Sequence, residues 1–104
     1  MQQLAAHFVI LKIIRKHYAT WKNLVEWRDG LPDDLPGKVQ ASTRCAEYAR
    51  TIWEHVVTLS ELNIAKEVRA FLVEELSTPV NEVGRTIGMR TADHDKLMKE
   101  LGGN

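Results

Sequence analysis

Cysteine is nearly missing from this chain: Cys45 is the single one among 104 residues. A disulfide within the chain is therefore impossible, which favours a reducing compartment. Long apolar runs are missing as well. The run from Phe8 to Leu11 is far shorter than the roughly 20 residues that cross a membrane, and no basic leader with an apolar core and a cleavage site is visible. We therefore expect a cytoplasmic protein with no membrane partner.

An excess of charge of either sign is also lacking. Lys plus Arg and Asp plus Glu each number 14, so the formal charge is zero, and the pI is about 6.9. Dedicated nucleic-acid binders are usually basic, because phosphate contacts dominate their affinity. The neutral charge of the whole chain therefore argues against a dedicated nucleic-acid-binding protein. Nucleic-acid binding would need a local basic patch.

Alternation with a period of two is absent, and apolar residues recur instead at helical spacings. The spacing predicts a long amphipathic helix over residues 3–28 and a second over residues 38–62, separated by a loop with two of the three prolines. The first helix carries two neighbouring apolar stripes, which consist of Leu4, Phe8, Leu11, Tyr18 and Val25, and of Ile10, Ile14, Trp21 and Leu24.

The remainder of the chain predicts shorter helices. Asn63 is expected to cap a third helix that continues to Leu76, and Pro79 is expected to stop it. The expected fold is therefore all-α, one domain over residues 1–104 with four or five helices. A long antiparallel helical hairpin occupies residues 1–62, and residues 63–101 hold the shorter helix and a C-terminal pair of helices.

That C-terminal pair carries turn residues in a specific order. Val83-Gly84 supplies an apolar residue followed by a small one, and Ile87-Gly88-Met89 supplies a turn with a glycine. Thr91 is a candidate cap of the second helix, and Leu97 is its apolar anchor. Asn81 to Lys99 resembles the helix-turn-helix of repressor-type DNA-binding proteins. The resemblance covers about a fifth of the chain and implies that the second helix enters a major groove.

Under this interpretation the DNA-binding residues are Arg85, Arg90, Thr91, Lys96 and Lys99, with Arg15 and Lys16 of the first helix on phosphates. The pattern also departs from the family. His94 stands at an inward position that is normally branched and apolar, and the acidic residues of the second helix cancel its basic ones. The alternative is that the turn at Gly88 only closes a helical bundle.

The first expected function is therefore that of a small non-enzymatic regulatory or binding protein, with helix-turn-helix DNA binding as a dimer. The alternative is a helical adaptor or inhibitor that binds another protein through its long apolar helices. The first helix has more apolar surface than one neighbour can cover, which predicts a homodimer or another protein partner along it. Trp21 and Trp27 are candidate contacts, because tryptophan is enriched at interface hot spots. Trp27 stands near the end of its helix beside the proline-containing loop, which makes it the tryptophan most open to exposure, although packing under that loop is the expected state.

Residues with catalytic chemistry are few. Arg50 and His55 are five apart, a spacing that resembles the Arg and His of small helical ribonucleases of the HEPN class. There the His acts as acid or base and the Arg steadies the phosphate, so both must converge on one substrate. No histidine pair has the i, i+4 spacing of a helical metal site, and no paired cysteines or phosphate-binding glycine loop occurs. We therefore expect no enzyme activity, metal or cofactor, and a HEPN-like ribonuclease is the third alternative.

Overall fold

The computed structural model describes the backbone of residues 2–103 and the side chains of residues 6–103. Within that range the chain forms four helices and no strand. They are α1 (Gln2–Asp29), α2 (Pro36–Glu61), α3 (Lys66–Thr86) and α4 (Thr91–Leu101). The prediction of an all-α fold is confirmed. The number of helices is four, the lower of the two expected values. Leu4 of the first predicted stripe lies outside the described side chains.

A short loop over residues 30–35 joins α1 and α2 into a long antiparallel hairpin. Pro36 opens α2, where its missing N–H is not needed. Lys38 fastens the loop, since its Nζ donates to the Leu31 carbonyl at 3.2 Å and to Asp33 Oδ1 at 2.5 Å. This hydrogen bond lowers the pKa of the Asp33 carboxyl. The second helix thus supplies the side chain that orders the loop before it.

The core lies along the α2–α3 pair, to which α1 and α4 each add a stripe of side chains. Its buried apolar members are Leu11, Ile14, Trp21, Ala41, Cys45, Ala49, Ile52, Val56, Leu59, Leu72, Leu76, Val80, Val83, Leu97, Met98 and Leu101. Cys45 is fully buried, as expected for a small residue beside the apolar face of α2. Burial raises the pKa of the Cys45 thiol, so it behaves as an unreactive filler.

The helices α1 and α4 lie on opposite sides of the α2–α3 pair. His17 of α1 packs against His55 of α2, whereas Leu97 of α4 lines a cavity together with Trp53 of α2. Because His55 and Trp53 are two residues apart, they point about 160° apart around the helix. The molecule is accordingly flat, with principal extents of 50 × 29 × 16 Å.

The predicted break at Pro79 is wrong, because α3 continues through this residue. Proline removes one hydrogen bond of the helix and crowds the turn before it. Leu76 and Val80, which are 2% and 0% exposed, hold the backbone on both sides of Pro79. In addition, His94 Nε2 contacts the Ser77 carbonyl oxygen at 3.0 Å. The predicted third helix and the first helix of the C-terminal pair are therefore one helix.

Two predicted helix caps are wrong as well. Asn63 is exposed in the linker before α3, and Ala65 is the N-cap of that helix. Arg90 precedes α4 in an extended conformation, so Thr91 is already helical and cannot act as the cap. The Arg90 backbone N–H donates instead to Asp93 Oδ2 at 2.9 Å. A carboxylate in the first turn therefore replaces the expected hydroxyl.

Candidate binding surfaces

The turn between α3 and α4 is a Schellman-type helix end built around Gly88. The Met89 N–H donates to the Gly84 carbonyl at 2.8 Å, and the Gly88 N–H donates to the Arg85 carbonyl at 3.2 Å. Gly88 has a φ of +80°, a left-handed value that glycine adopts without a steric penalty. The glycine therefore stands where the backbone of the turn requires it.

Gly84 is required for a close contact with α2. The sequence pattern predicted instead a contact with the second helix of the turn. A Cβ at this position would lie 2.7 Å from Trp53 Cζ3 of α2 and 3.4 Å from Met89 Cβ. The helix-turn-helix pattern assigns the small residue to close packing of its second helix. Here it makes room for the Trp53 indole of α2, so the Val83-Gly84 pair serves the α2–α3 contact first.

Three of the predicted DNA-binding residues lie on the exposed side of α4, and a fourth, Arg90, directly precedes this helix. Arg90, Thr91, Lys96 and Lys99 are all exposed. Arg90 faces the carboxylate of Asp93, with Nε 3.9 Å from Oδ2, which partly neutralises its charge. Lys96 and Lys99 form no ion pair within 4.0 Å in the described part of the chain. They are therefore the positive charges of α4 that a partner could use.

The other predicted DNA-binding residues lie elsewhere, so the proposed set does not form one surface. Arg15 and Lys16 are on α1, across the α2–α3 pair from α4, and Arg15 Nη2 pairs with Glu75 Oε1 at 2.8 Å. Arg85 lies on the side of α3 that faces α1, where it lines a cavity with α1 residues. DNA contact by either group of residues stays a prediction. Sequence spacing carries no information on how the helices pack around α2 and α3, so it could not show that the two groups are separate.

The two tryptophans predicted as protein contacts have opposite environments. Trp21 is 6% exposed and belongs to the core, so its role as a surface contact is wrong. It lies on the stripe of α1 that packs inward. Trp27 is 56% exposed near the end of α1, so the expectation that it packs under the loop is wrong. Of the two, Trp27 alone can contact a partner without unfolding of the core.

Trp27 shares one side of α1 with Val9, which is 55% exposed. The two are eighteen residues apart, or about five helical turns, and therefore point in the same direction. We call this side the outer face of α1; its residues are Val9, Lys16, Thr20, Asn23 and Trp27. Neither predicted apolar stripe includes Val9. The sequence pattern thus already indicated that this apolar residue lies outside the side of α1 that packs inward.

A groove separates the C-terminal halves of α1 and α3 and contains a cavity of about 290 Å³. Its walls are formed by Trp21, Lys22, Val25, Glu26, Glu82 and Arg85. At its edge the Tyr18 hydroxyl donates to Glu82 Oε2 at 2.6 Å. Burial, followed by this hydrogen bond and the Glu82 charge, raises the pKa of Tyr18 to about 12. The sequence did not indicate this groove, because it depends on the register between α1 and α3.

The Arg50 and His55 pair does not converge. Arg50 is exposed, whereas the His55 ring packs against His17 with ring centroids 5.9 Å apart. Residues five apart point about 140° apart around a helix, so the two side chains face different surroundings. Among residues 6–103, no three His, Cys, Asp or Glu side chains are grouped so that they could hold a metal ion.

The helices of the described range are all too short or too polar to cross a membrane. Candidate surfaces for a partner include the outer face of α1, the α1–α3 groove and the exposed side of α4. Comparisons of the chain with protein-family models, with curated proteins and with solved structures gave no match.

Proposed function

We propose that this protein is a small non-enzymatic binding protein that associates with a second copy of itself through the outer face of α1. The observation that carries the proposal is the exposure of Trp27, 56% of which is open to solvent. A tryptophan buries more apolar area than almost any other side chain and is enriched at the centres of protein interfaces. Phe8 and Val9 leave further apolar area open near the other end of the same helix.

An antiparallel pairing of two α1 helices fits the spacing of the apolar residues. If the two-fold axis crosses the outer face of α1 at the level of residue 18, each Trp27 lies opposite Val9 of the second copy, and Lys16 lies opposite Thr20. A two-fold contact uses the same surface on both copies and is closed, so it stops at a dimer. Because α4 lies on the far side of the α2–α3 pair, both copies of α4 stay accessible in such a dimer.

The charges of the outer face of α1 give the pairing a characteristic salt dependence. Lys16 lies on this face and Lys12 at its edge, both are exposed, and no Asp or Glu occupies the face between Val9 and Trp27. Two copies therefore bring like charges together at the middle of the contact. Salt screens that repulsion, so self-association strengthens as the salt concentration rises.

Sedimentation equilibrium of the protein and two variants tests this proposal. The test variant is Trp27→Ala, and the control is Val39→Ala, which removes apolar area from an exposed site on α2. The mass of the parent and of the control should rise with concentration from 11.9 kDa towards twice that value, while Trp27→Ala stays monomeric. Equal masses for all three proteins at every concentration would exclude the outer face of α1 as the contact.

Duplex DNA is a second candidate partner, favoured by the exposure of Lys96 and Lys99 on the helix that follows the Gly88 turn. Binding of a labelled random-sequence duplex at low and moderate salt tests it. Binding should weaken steeply with salt, and Lys96→Ala with Lys99→Ala should abolish it. The control is Lys12→Ala with Lys16→Ala, which removes the same charge from α1 and should retain affinity. Absence of binding at low salt would remove this candidate.

A further inference from the structure

The α1–α3 groove has the size of a site for a very small molecule. Its cavity of about 290 Å³ lies at the lower limit of known ligand pockets, which start at roughly 300 Å³. The groove and the outer face of α1 are on different sides of that helix, because Lys22 lines the groove and Trp27, five residues later, points elsewhere. The inference about this site is thus independent of self-association.

Charges of both signs line the cavity. Lys22 and Glu26 come from α1, and Glu82 and Arg85 come from α3. Among the described residues these four form no ion pair within 4.0 Å with one another. The Tyr18 hydroxyl holds the Glu82 carboxylate in place at 2.6 Å, and Lys22 Nζ stands 5.4 Å from the centre of the Tyr18 ring. The groove therefore presents two positive and two negative groups that are still able to bind a ligand.

A buried hydrogen-bond donor lies beneath the same wall. Trp21 is 94% removed from solvent, with 6% exposed, and its indole N–H has no acceptor among the described atoms. Buried polar groups in folded proteins are nearly always hydrogen-bonded, because an unmade bond in the interior is costly. Trp21 and Val25 also give the cavity its apolar surface. The indole nitrogen itself exposes less than 1 Å², so the donor lies beneath the wall, and the wall offers the cavity apolar surface.

These features together select one class of ligand. A simple anion would meet the carboxylates of Glu26 and Glu82, and a simple cation would meet Lys22 and Arg85. An uncharged apolar molecule would cover the four charged groups without pairing any of them. We propose that the groove binds a free α-amino acid with an apolar side chain. Its carboxylate faces the two cations, its ammonium group faces the two carboxylates, and its side chain covers Trp21 and Val25.

Titration of the ¹⁵N-labelled protein with L-leucine, followed by NMR of the indole N–H signals, tests the proposal. The three tryptophans give three such signals, and Trp27→Phe and Trp53→Phe identify that of Trp21 by elimination. L-leucine should shift the Trp21 signal in a saturable way. N-acetyl-L-leucine, which lacks the cation, and L-leucinamide, which lacks the anion, should each bind at least about tenfold more weakly, the equivalent of about 1.4 kcal/mol. No saturable shift at millimolar L-leucine, or equal affinity for the three compounds, would overturn the proposal.

Substitutions at the rim separate this site from a general effect on the fold. Glu82→Gln and Arg85→Gln each remove one charge of the cavity, and Arg50→Gln removes an exposed charge on α2 as the matched control. Affinity for L-leucine should fall about tenfold or more in the first two and stay unchanged in the third. Glu26→Gln, on the exposed rim, gives a further measurement if Glu82→Gln does not fold. Unchanged affinity in all the cavity variants that fold would exclude the groove.

Discussion

α1 and α4 cover the same pair of helices from opposite sides, but they are attached by different means. α4 is short and is fixed by directed contacts: the turn at Gly88, the contact of His94 Nε2 with the Ser77 carbonyl oxygen and the hydrogen bonds of Arg69 to its last carbonyls. α1 is long and is held by an apolar stripe, with the Arg15–Glu75 and Tyr18–Glu82 contacts at its edge.

The difference shows where the chain can tolerate change. Directed contacts depend on one side chain or one missing Cβ, so a single substitution can loosen α4. The stabilisation that α1 gains from its apolar stripe is distributed over many side chains. The outer face of α1 contributes little to the stability of the fold. Residues of that face are therefore available for binding, whereas the residues that fasten α4 are needed for stability.

Arg69→Met should have the largest effect on stability. The Arg69 guanidinium donates to the carbonyls of Leu62, Ile64 and Leu101, which lie at the end of α2, in the linker and at the end of α4. Carbonyls at helix ends lack partners within the helix. We expect a loss of about 3 kcal/mol in the free energy of unfolding, the upper value for hydrogen bonds to a charged donor, as measured by urea denaturation.

Arg50→Met is the control for that prediction, since Arg50 is exposed on α2 and the same substitution there should change stability by less than about 0.5 kcal/mol. Hydrogen exchange of Arg69→Met should accelerate at the amides of α4 more than at those of α1. Uniform acceleration over both helices would show that Arg69 does not act on α4 in particular.

Gly84→Ala tests the close contact between α3 and α2 and should have the second-largest effect. The added Cβ would lie 2.7 Å from Trp53 Cζ3, so we expect a loss of about 1–3 kcal/mol from overpacking. Gly37→Ala is the matched control, because the nearest atom there is the Leu35 side chain at 3.9 Å. The control should be neutral or stabilising, since alanine favours helix. Trp53→Leu should recover part of the loss in the double variant; additive losses would refute the contact.

A smaller effect, dependent on pH, is expected at the edge of α1. The pKa of Tyr18 is raised from 10.0 to about 12 in the folded state, so the folded protein holds this proton more tightly than the unfolded one. The contribution to stability is complete below pH 10 and disappears as the pH rises through 12. Unfolding free energies measured across this range should fall more steeply for the parent than for Tyr18→Phe. Parallel curves would show that the folded protein does not hold the Tyr18 proton more tightly than the unfolded one.

Local patterns in the sequence predicted the helices and the glycine turn, because both depend on neighbours along the chain. Apolar spacing indicated two long helices close to their observed bounds, and Gly88 stands where the backbone needs a positive φ. Pro79 was misinterpreted for the opposite reason. Its local preference against a helix interior is overridden by the buried neighbours Leu76 and Val80, which only the packed structure shows.

The candidate sites were harder to predict from the sequence, because they depend on which helices pack against each other. Trp21 and Trp27 look alike as tryptophans on one helix, yet one belongs to the core and the other to the surface. Arg85 and Arg90 are close in sequence, yet Arg85 turns to the α1–α3 groove. Arg69 was not identified at all, although the lack of basic residues in the last turn of α2 is a signal that the carbonyls there need a distant donor.

The central claim is that the outer face of α1 joins two copies of the chain, and the salt dependence of the molecular mass tests it most directly. Sedimentation equilibrium of the parent protein should show a larger dimer fraction at high salt than at low salt, because Lys12 and Lys16 repel their counterparts in the second copy. Trp27→Ala should stay monomeric at both salt concentrations, with its unfolding free energy within about 0.5 kcal/mol of the parent. A parent protein that is monomeric at both salt concentrations, or a dimer that weakens with salt, would contradict the account.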